Sequence, residues 1–554
     1  MTLKKFFSPN VIIILLTLVG AFLHFFNLNW GTPWYFHPDE RNIATAVSQL
    51  HFSDQMNPHF FAYGSLPIYM IFFTGLLAHF FSHLQLAAFT SDIRFEEAII
   101  ISRAYSALFA TALIPILFII GKRLKNTQTG LLAAAFATLS VGLTQFAHFG
   151  TFELWLTFFS VCFLWTNLNL LNRGKIADLI ATAVILGILI SVKVSSLVLL
   201  PLPLFVFLLR EKDRISKHLK ARKRLFQLGT VFFQFILLCL VSVMVYFATN
   251  PFVLMDQTDF TASMTYESGV GLGTLPVFYT GGFYDTVPFI YQFLHVYPFL
   301  LNPLVTLLFI ICFVSLLIKT FQTKNSSFII LYSLFSILFI SQAILFVKWT
   351  RYMIPTLPFI YLILALALME LANSKLFKQN VISKIFLTIT ILTCTIFSFA
   401  YLKTAFINPD TRLAALQFAK ENISQNATIL SEPYDLGMFP MQTVLPRINT
   451  FNFYDLATIS IDATEENLRQ QIANADYIIV PSQRILQPRI LNAERFPQGH
   501  TYYENLFHGK LGFQKIYETP CDIFCKITYL GDPIYWWEQT VNVFDRPPVF
   551  IFKK

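Results

Sequence analysis

Long apolar runs broken by short polar connections repeat through the first four hundred residues. "VIIILLTLVGAFLHFF" begins at Val11, and "GLLAAAFATLSVGLTQFA", "LWLTFFSVCFLWTNLNLL" and "VFFQFILLCLVSVMVYFA" follow in order. Each approaches the roughly 20 residues that cross a bilayer core as a helix. The pattern predicts helical spans over about 8–27, 65–83, 97–120, 129–147, 151–171, 176–192, 194–209, 224–247, 292–318, 326–346, 352–371 and 383–403. The first run is followed by too many others, and lacks a small-residue cleavage site, to be a cleaved leader. From about 405 the pattern changes. "DTRLAALQFAKEN" has a helical apolar period with Asp410 or Thr411 placed to cap it, and "ATILSE", "DYIIVPS" and "PVFIF" have the character of short strands. The expected architecture is an α-helical polytopic membrane protein over 1–404, with a small C-terminal α/β domain over 405–554.

Composition agrees with that pattern. Of the 554 residues, 55% are hydrophobic and 13% charged, against about 25% charged in a soluble domain. The net charge is +9, with eight Lys and Arg between Arg210 and Arg224 alone. A basic chain raises nucleic acid as a partner. The same charge is better used in keeping loops on the cytoplasmic side, and nucleic acid is not expected.

Charge then sets orientation. Lys4-Lys5, "GKRLKN" from Gly121, "NRGK" from Asn172, the 210–224 run and "KTFQTK" from Lys319 are all expected in the cytoplasm. That places the N-terminus inside and outer loops at 28–96 and 248–291 on the other side of a plasma membrane, with the C-terminal domain extracytoplasmic. Parity requires the run 65–83 to begin and end outside, so it bends back or lies along the interface, leaving about eleven full spans. The Gly and Pro of "YGSLPIY" permit a bend. The alternative is an ordinary span with the charge rule failing once, at Lys122–Lys125. Lys193 interrupts some thirty apolar residues, so two short spans are expected to meet there at the outer surface.

Orientation gathers Asp39, Glu40, Glu153, Lys193, Lys348 and Arg351 at the outer surface. Ionisable groups at membrane depth are costly and point to function. Adjacent residues on a helix diverge by about 100°, so Asp39 and Glu40 are expected to differ in role, one at a reacting centre and one holding a neighbour or a metal. Each residue also has a plain reading. The Asp39-Glu40 pair can be acids at a helix start behind Pro38. Glu153 can cap a span with Thr151, and Lys193 and Arg351 can snorkel to headgroups. As a set they suit transfer of a sugar from a lipid phosphate: cations stabilise the leaving phosphate, a carboxylate takes the proton of the incoming hydroxyl, and attack from the opposite face inverts the sugar.

"FHPDE" at Phe36–Glu40, "HFGTFELWLTFF" around Glu153, "ISVKVSSLVLLP" around Lys193, "NPFVLMDQTDF" from Asn250 and "KWTRYMIPTLPF" from Lys348 resemble segments of GT-C glycosyltransferases. The resemblance is to the protein O-mannosyltransferase and aminoarabinose transferase branch. It implies a polyprenyl-phosphate-sugar donor, inversion, and a glycan, lipid or protein acceptor. It also implies Asp39 as base, Glu40 and Glu153 orienting acceptor, sugar or an ion, and Lys193 and Arg351, with Lys348 beside them, holding the lipid phosphate. The second acidic position is usually Asp in this branch and here is Glu153. His37, His148, Tyr266, Glu267 and Tyr352 are candidate substrate contacts. Metal dependence varies across the superfamily; a divalent metal is the one candidate cofactor, and no dedicated metal cage is visible.

The glycines of "YESGVGLGTLPVFYTGGFYD" serve either as a lid over the site or as plain turns. A transporter or lipid-linked-sugar flippase is the rival reading, but no internal repeat supports it. A structural protein whose exported tail binds a partner leaves Asp39-Glu40 unexplained. Cys521 and Cys525, in the polar tail, are placed for a disulfide if that part is exported.

Overall fold

The computed structural model describes residues 8–83, 92–216, 221–372, 381–432, 436–451 and 461–554. Lys4-Lys5 and part of the 210–224 run lie outside them. The bundle is built from α1 (Pro9–Phe25), α2 (Pro38–Ser48), α3 (Ser65–His83), α4 (Phe95–Leu124), α5 (Thr127–Thr138), α6 (Val141–Ala147), α7 (Glu153–Asn172), α8 (Ile176–Val192), α9 (Pro201–Ser216) and α10 (Ala221–Thr249). It continues through α11 (Phe252–Met255), α12 (Gln257–Leu272), α13 (Tyr297–Leu300), α14 (Pro303–Thr323), α15 (Ser326–Ala343), α16 (Leu357–Ala372) and α17 (Val381–Leu402). Without water in the bilayer, backbone groups must pair within the chain, and the helix starts show how. Ser8, Asn126, Ser140, Asn302 and Asn325 each cap the following helix with a side-chain oxygen.

Polar contacts sort the helix ends onto two faces. On one, Lys125 and Lys319 both reach Glu370, joining the ends of α4, α14 and α16, and Arg123 donates to Asn169 at the end of α7 (2.6 Å). Among the described residues, the basic connections after α4 and near the end of α14 thus share this face. The opposite face carries α2 and the tail. α3 is long and apolar enough to cross a membrane, yet both of its ends sit on that second face. Ser65 N donates to Asn250 just past α10 (2.6 Å), and His79 meets Glu97 in the first turn of α4 (3.2 Å). Of the two expectations for 65–83, the helix is unbroken and runs along the face. With the bent pair α5–α6 and the shorter α1 and α8 counted, and α3 left out, eleven passes remain among the described residues. Cysteines placed at Ser53 and Ser82 are expected to react with an impermeant maleimide from one side of the membrane and a cysteine at Thr323 only from the other. Reaction of Ser53→Cys and Ser82→Cys from opposite sides would show that α3 crosses.

Two expected spans are corrected. The run 129–147 is two helices bent by 54°, because Ser140 ends one segment and caps the next. The run 292–318 begins its pass only at Pro303; residues 292–300 form a π-turn and α13, and Asn302, at φ 74°, breaks the chain direction. At Lys193 the chain does as expected, with α8 ending at Val192 and a 3₁₀ helix, Val194–Leu199, leading into α9.

After the bundle comes α18 (Thr411–Asn422), capped by Asp410. A five-stranded sheet follows, with β1 (Ile429–Ser431), β2 (Ile448–Thr450), β3 (Tyr477–Val480), β4 (Gln514–Glu518) and β5 (Phe550–Lys553) in the order β2-β1-β3-β5-β4. The β1–β2 and β1–β3 pairs are parallel, and β5 runs antiparallel to β3 and β4. Alternation splits the strands between two cores. Ile429, Tyr477 and Ile551 face α18, while Leu430, Ile478 and Phe552 face the other way. Cys521 and Cys525 are joined as a disulfide. The segment around it returns to the bundle, where Tyr529, Trp537 and Val541 are part of the membrane core.

Candidate active site

α2 starts on the cavity face with Pro38 in its first turn and His37 as N-cap, and the divergence of neighbouring helical side chains separates the two acids. Asp39 points into a cavity of about 340 Å³ and pairs with Arg351. Arg351 stands on the 3₁₀ helix Thr350–Thr356 that opens α16. Tyr63, from the loop before α3, bridges the pair at 3.5 Å from Asp39 Oδ2 and 3.4 Å from Arg351 Nη1. Burial pushes the Asp39 carboxyl up, but Arg351, with His37, Arg484 and Lys193, outweighs it and holds the group below the usual carboxylate range.

Glu40 lines neither this cavity nor its neighbour. Its carboxylate accepts from Arg103 Nε (2.9 Å) and Nη2 (2.7 Å), and from Gly150 N (2.6 Å), with both side chains of the pair fully buried. Arg103 also donates to the carbonyls of Leu28 and Trp30. Glu40 therefore fastens α2 to α4 and to the 148–152 turn, and the expectation that it meets substrate is corrected: it is the acid that holds a neighbour.

Glu153, the first residue of α7, lines the main cavity and a smaller one of about 50 Å³ beside it. Arg351 lines both as well. The smaller cavity holds Lys193 and Tyr352, with apolar Leu156, Val198 and Leu338. Lys193 Nζ lies over the rings of Tyr63 (5.5 Å) and Tyr352 (5.0 Å). Glu153 Oε2 and Arg351 Nε are buried without a hydrogen-bond partner, so the shared boundary of the two cavities keeps unused polar capacity of both signs.

Of the candidate contacts, His37, Tyr266 and Glu267 line the main cavity. The His37 ring lies between Phe149 (4.7 Å) and Phe544 (4.1 Å), and burial lowers its pKa against the pull of Asp39, Glu40 and Glu153. Tyr266 and Glu267 come from α12, between α11 and α13, and Tyr266 bonds Tyr279 (2.8 Å). Burial raises Glu267, with Arg351 and Lys193 opposing. Two expected residues lie elsewhere. His148 is buried with its ring nitrogens 2.7 Å from the carbonyls of Thr144 and Phe26. Lys348 is turned away to donate to Phe346 O (2.9 Å). Neither lines either cavity.

Sequence reasoning missed a wall of the site. Arg484, Gln539, Thr540 and Phe544, all from the tail, line the main cavity. Glu538 fixes that wall to the bundle by accepting from Thr350 N (2.8 Å) and Thr350 Oγ1 (2.7 Å), one residue before Arg351. Tyr63 and Arg103 were also missed, although an Arg inside an apolar run such as "ISRAYSALF" calls for a buried acid. Among the described residues, the group able to hold a metal is His59, Asp256 and Asp259, within 4.8 Å of one another. It lies outside the cavity lining. Asp39 has a guanidinium as partner, and the cavity acids do not converge as a ligand set, so no step is derived through a metal.

Residues 84–250 match the family described as dolichyl-phosphate-mannose-protein mannosyltransferase. The whole fold matches the archaeal oligosaccharyltransferase AglB from Archaeoglobus fulgidus in complex with an inhibitory peptide and a dolichol-phosphate. The TM-score is 0.54 at 12% identity, covering 100% of this chain and 89% of that one. The apo form of the A. fulgidus enzyme gives a TM-score of 0.52 at 12% identity, again over 100% and 89%. The chain shares the fold of this archaeal glycosyltransferase over its whole length. ArnT from Cupriavidus metallidurans bound to undecaprenyl phosphate is matched more loosely, with a TM-score of 0.44 at 11% identity over 85% of this chain and 92% of that one. No curated protein matches the chain by sequence. The expected GT-C membrane fold with a C-terminal sheet is thus met. The family match spans Arg103, Glu153 and Lys193 and leaves Asp39 and Arg351 to geometry.

Proposed function

We propose that this protein is a GT-C-type inverting glycosyltransferase that moves a sugar from a polyprenyl-phosphate-linked donor to an acceptor hydroxyl at the cavity face. The observation that carries the reading is the Asp39–Arg351 pair at the junction of two cavities, one polar and one leading along apolar side chains past Lys193. The donor phosphate sits at Lys193 and Arg351, as a point charge and a planar fork suit it, with the prenyl chain against Leu156, Val198 and Leu338. The archaeal relative's dolichol-phosphate is a ligand of this kind.

Arg351 is shared. Before donor binds, it quenches the Asp39 carboxylate; when the phosphate takes part of its hydrogen bonding, the carboxylate becomes more basic. Asp39 then takes the proton of the acceptor hydroxyl, the oxygen attacks the anomeric carbon, and the carbon–phosphate oxygen bond breaks with its electron pair going to the phosphate. Arg351 and Lys193 stabilise that charge. Attack opposite the leaving group inverts the configuration. Glu153 and Glu267 border the sugar's place, and α12 covers it. A flippase would need charges along a path through the bundle, whereas these lie at one face.

Arg351→Lys keeps a charge but loses the fork. It is expected to weaken donor binding and lower kcat/KM at least about tenfold, an amount in line with loss of one charge-assisted hydrogen bond. Titration of the purified protein with a polyprenyl phosphate checks this; unchanged affinity in Arg351→Lys and in Lys193→Met together removes the phosphate assignment. We place the cavity face outside a plasma membrane, so a reporter at Lys420 should be reached in whole cells.

A further inference from the structure

A second cavity, of about 420 Å³, lies between the outer loop 282–295 and the tail. It is comparable in size to the main cavity, and Gln539 lines both. Nothing in the transfer mechanism uses it. Its size is within the range of small-molecule sites.

Its walls have a specific chemistry. Tyr284, Tyr291 and Trp536 supply aromatic surface, and Trp536 is 50% exposed at the mouth. Gln487 and Gln539 are more than nine-tenths buried. Gln487 Nε2 donates to Trp537 O (2.8 Å) and Gln539 Nε2 to Tyr279 O (2.7 Å). Because those neighbours are carbonyls, each amide must keep its nitrogen toward them. Both Oε1 atoms are left buried without a partner. A buried acceptor left unpaired costs roughly 1–3 kcal/mol, so the two glutamine side chains that line this cavity keep acceptor capacity that a donating ligand would use on entering.

We propose that this cavity binds a saccharide and that the acceptor of the reaction is a glycan, a reading that rests on the transferase function above. A pyranose ring offers flat C–H faces to aromatic side chains and hydroxyl donors around its rim, which match the rings and the two amide oxygens. Charge opposes an anionic ligand, since Asp285 and Glu538 line the same space. Gln539 is the common wall, and Thr540 beyond it lines the main cavity. A saccharide seated here therefore lies beside the cavity into which Asp39 points, separated from it by the Gln539 side of the wall. Val287 and Ile290, 57% and 56% exposed at the mouth, allow the glycan to arrive on a lipid as well as free or on a protein.

The test is saturation-transfer difference NMR on the full-length protein in nanodiscs without donor. The probes are methyl α-mannopyranoside, methyl β-glucopyranoside, N-acetylglucosamine and their disaccharides. At least one probe is expected to receive saturation at its ring C–H protons. Trp536→Ala and Gln487→Leu should each weaken its binding at least tenfold, and Trp536→Phe should retain it. The proposal is overturned if no probe is saturated, if Trp536→Ala binds like the wild type, or if a capped Ser/Thr peptide is saturated instead. Adding a ten-carbon alkyl chain to the bound sugar separates the sources. Tighter binding that Ile290→Ser abolishes identifies a lipid-borne glycan, and equal binding identifies a free or protein-borne one; either supports the site. Because no donor is present, failure here leaves the transfer reaction standing. Absence of donor turnover in the wild type removes the transferase reading whatever the saccharides do.

Discussion

Asp39→Asn is expected to leave a folded protein whose transfer rate falls by a thousandfold or more. Loss of a positioned general base costs about 10²–10⁴-fold in rate, and the uncharged amide cannot take the proton. The amide keeps the shape of the carboxylate beside Tyr63, and the Asp39–Arg351 pair is partly exposed, at 25% and 22%, so thermal stability should change little. A second readout separates the base from a mere scaffold. Arg351, freed from its carboxylate, is expected to bind a polyprenyl phosphate at least as tightly as in the wild type, while turnover of the corresponding sugar donor disappears. Wild-type turnover by the variant, or loss of donor binding together with folding, removes the assignment. The pH profile adds a sign. The folded pKa of Asp39 is depressed, so the base stays ionised through the ordinary carboxylate range, and kcat/KM should hold its acid-side plateau until the pH falls below it. The stability drawn from the pair is present above the ordinary carboxylate pKa and is lost on the same descent.

Glu40→Gln is expected to behave in the opposite way, failing in stability first. The Arg103 guanidinium is fully buried and bonded to both carboxylate oxygens. Removing one partner of such a pair costs about 3–5 kcal/mol, whereas replacing both with apolar groups of similar size is near neutral. Thermal unfolding in detergent should show a large fall in Tm for Glu40→Gln and for Arg103→Leu. The double variant Glu40→Leu/Arg103→Met should recover much of it. Activity in Glu40→Gln should follow the folded fraction. A wild-type Tm with lost turnover would return Glu40 to the chemistry.

What could be read from the sequence is what the membrane makes expensive. Lys193 and Arg351 stand out because each interrupts an apolar run, and Asp39 because it follows the first span directly. About eleven passes followed from the apolar runs and charge parity together, and the contacts of α3 agree. Residues whose role depends on a distant partner were not legible. Glu40 and Asp39 look alike until Arg103 claims one of them. Lys348 sits three positions before Arg351, but the chain turns into a 3₁₀ helix between them, so the two point apart. His148 lies next to the cavity-lining turn, yet the carbonyls of Thr144 in α6 and of Phe26 just past α1 occupy both of its nitrogens. The edge strands β2 and β4 escaped notice because they are mostly solvent-facing and lack a buried alternation. Arg484, Gln539 and Phe544 belong to a segment that reads as an ordinary polar tail, and only folding brings it against α2.

Glu538 grips Thr350 at the neighbour of Arg351, and this has a bearing on engineering. A chimera that exchanges the C-terminal module to redirect glycosylation must carry the 538–545 strip along with a compatible 350 position. A swap made at the end of the last pass would disturb the donor pocket along with acceptor choice.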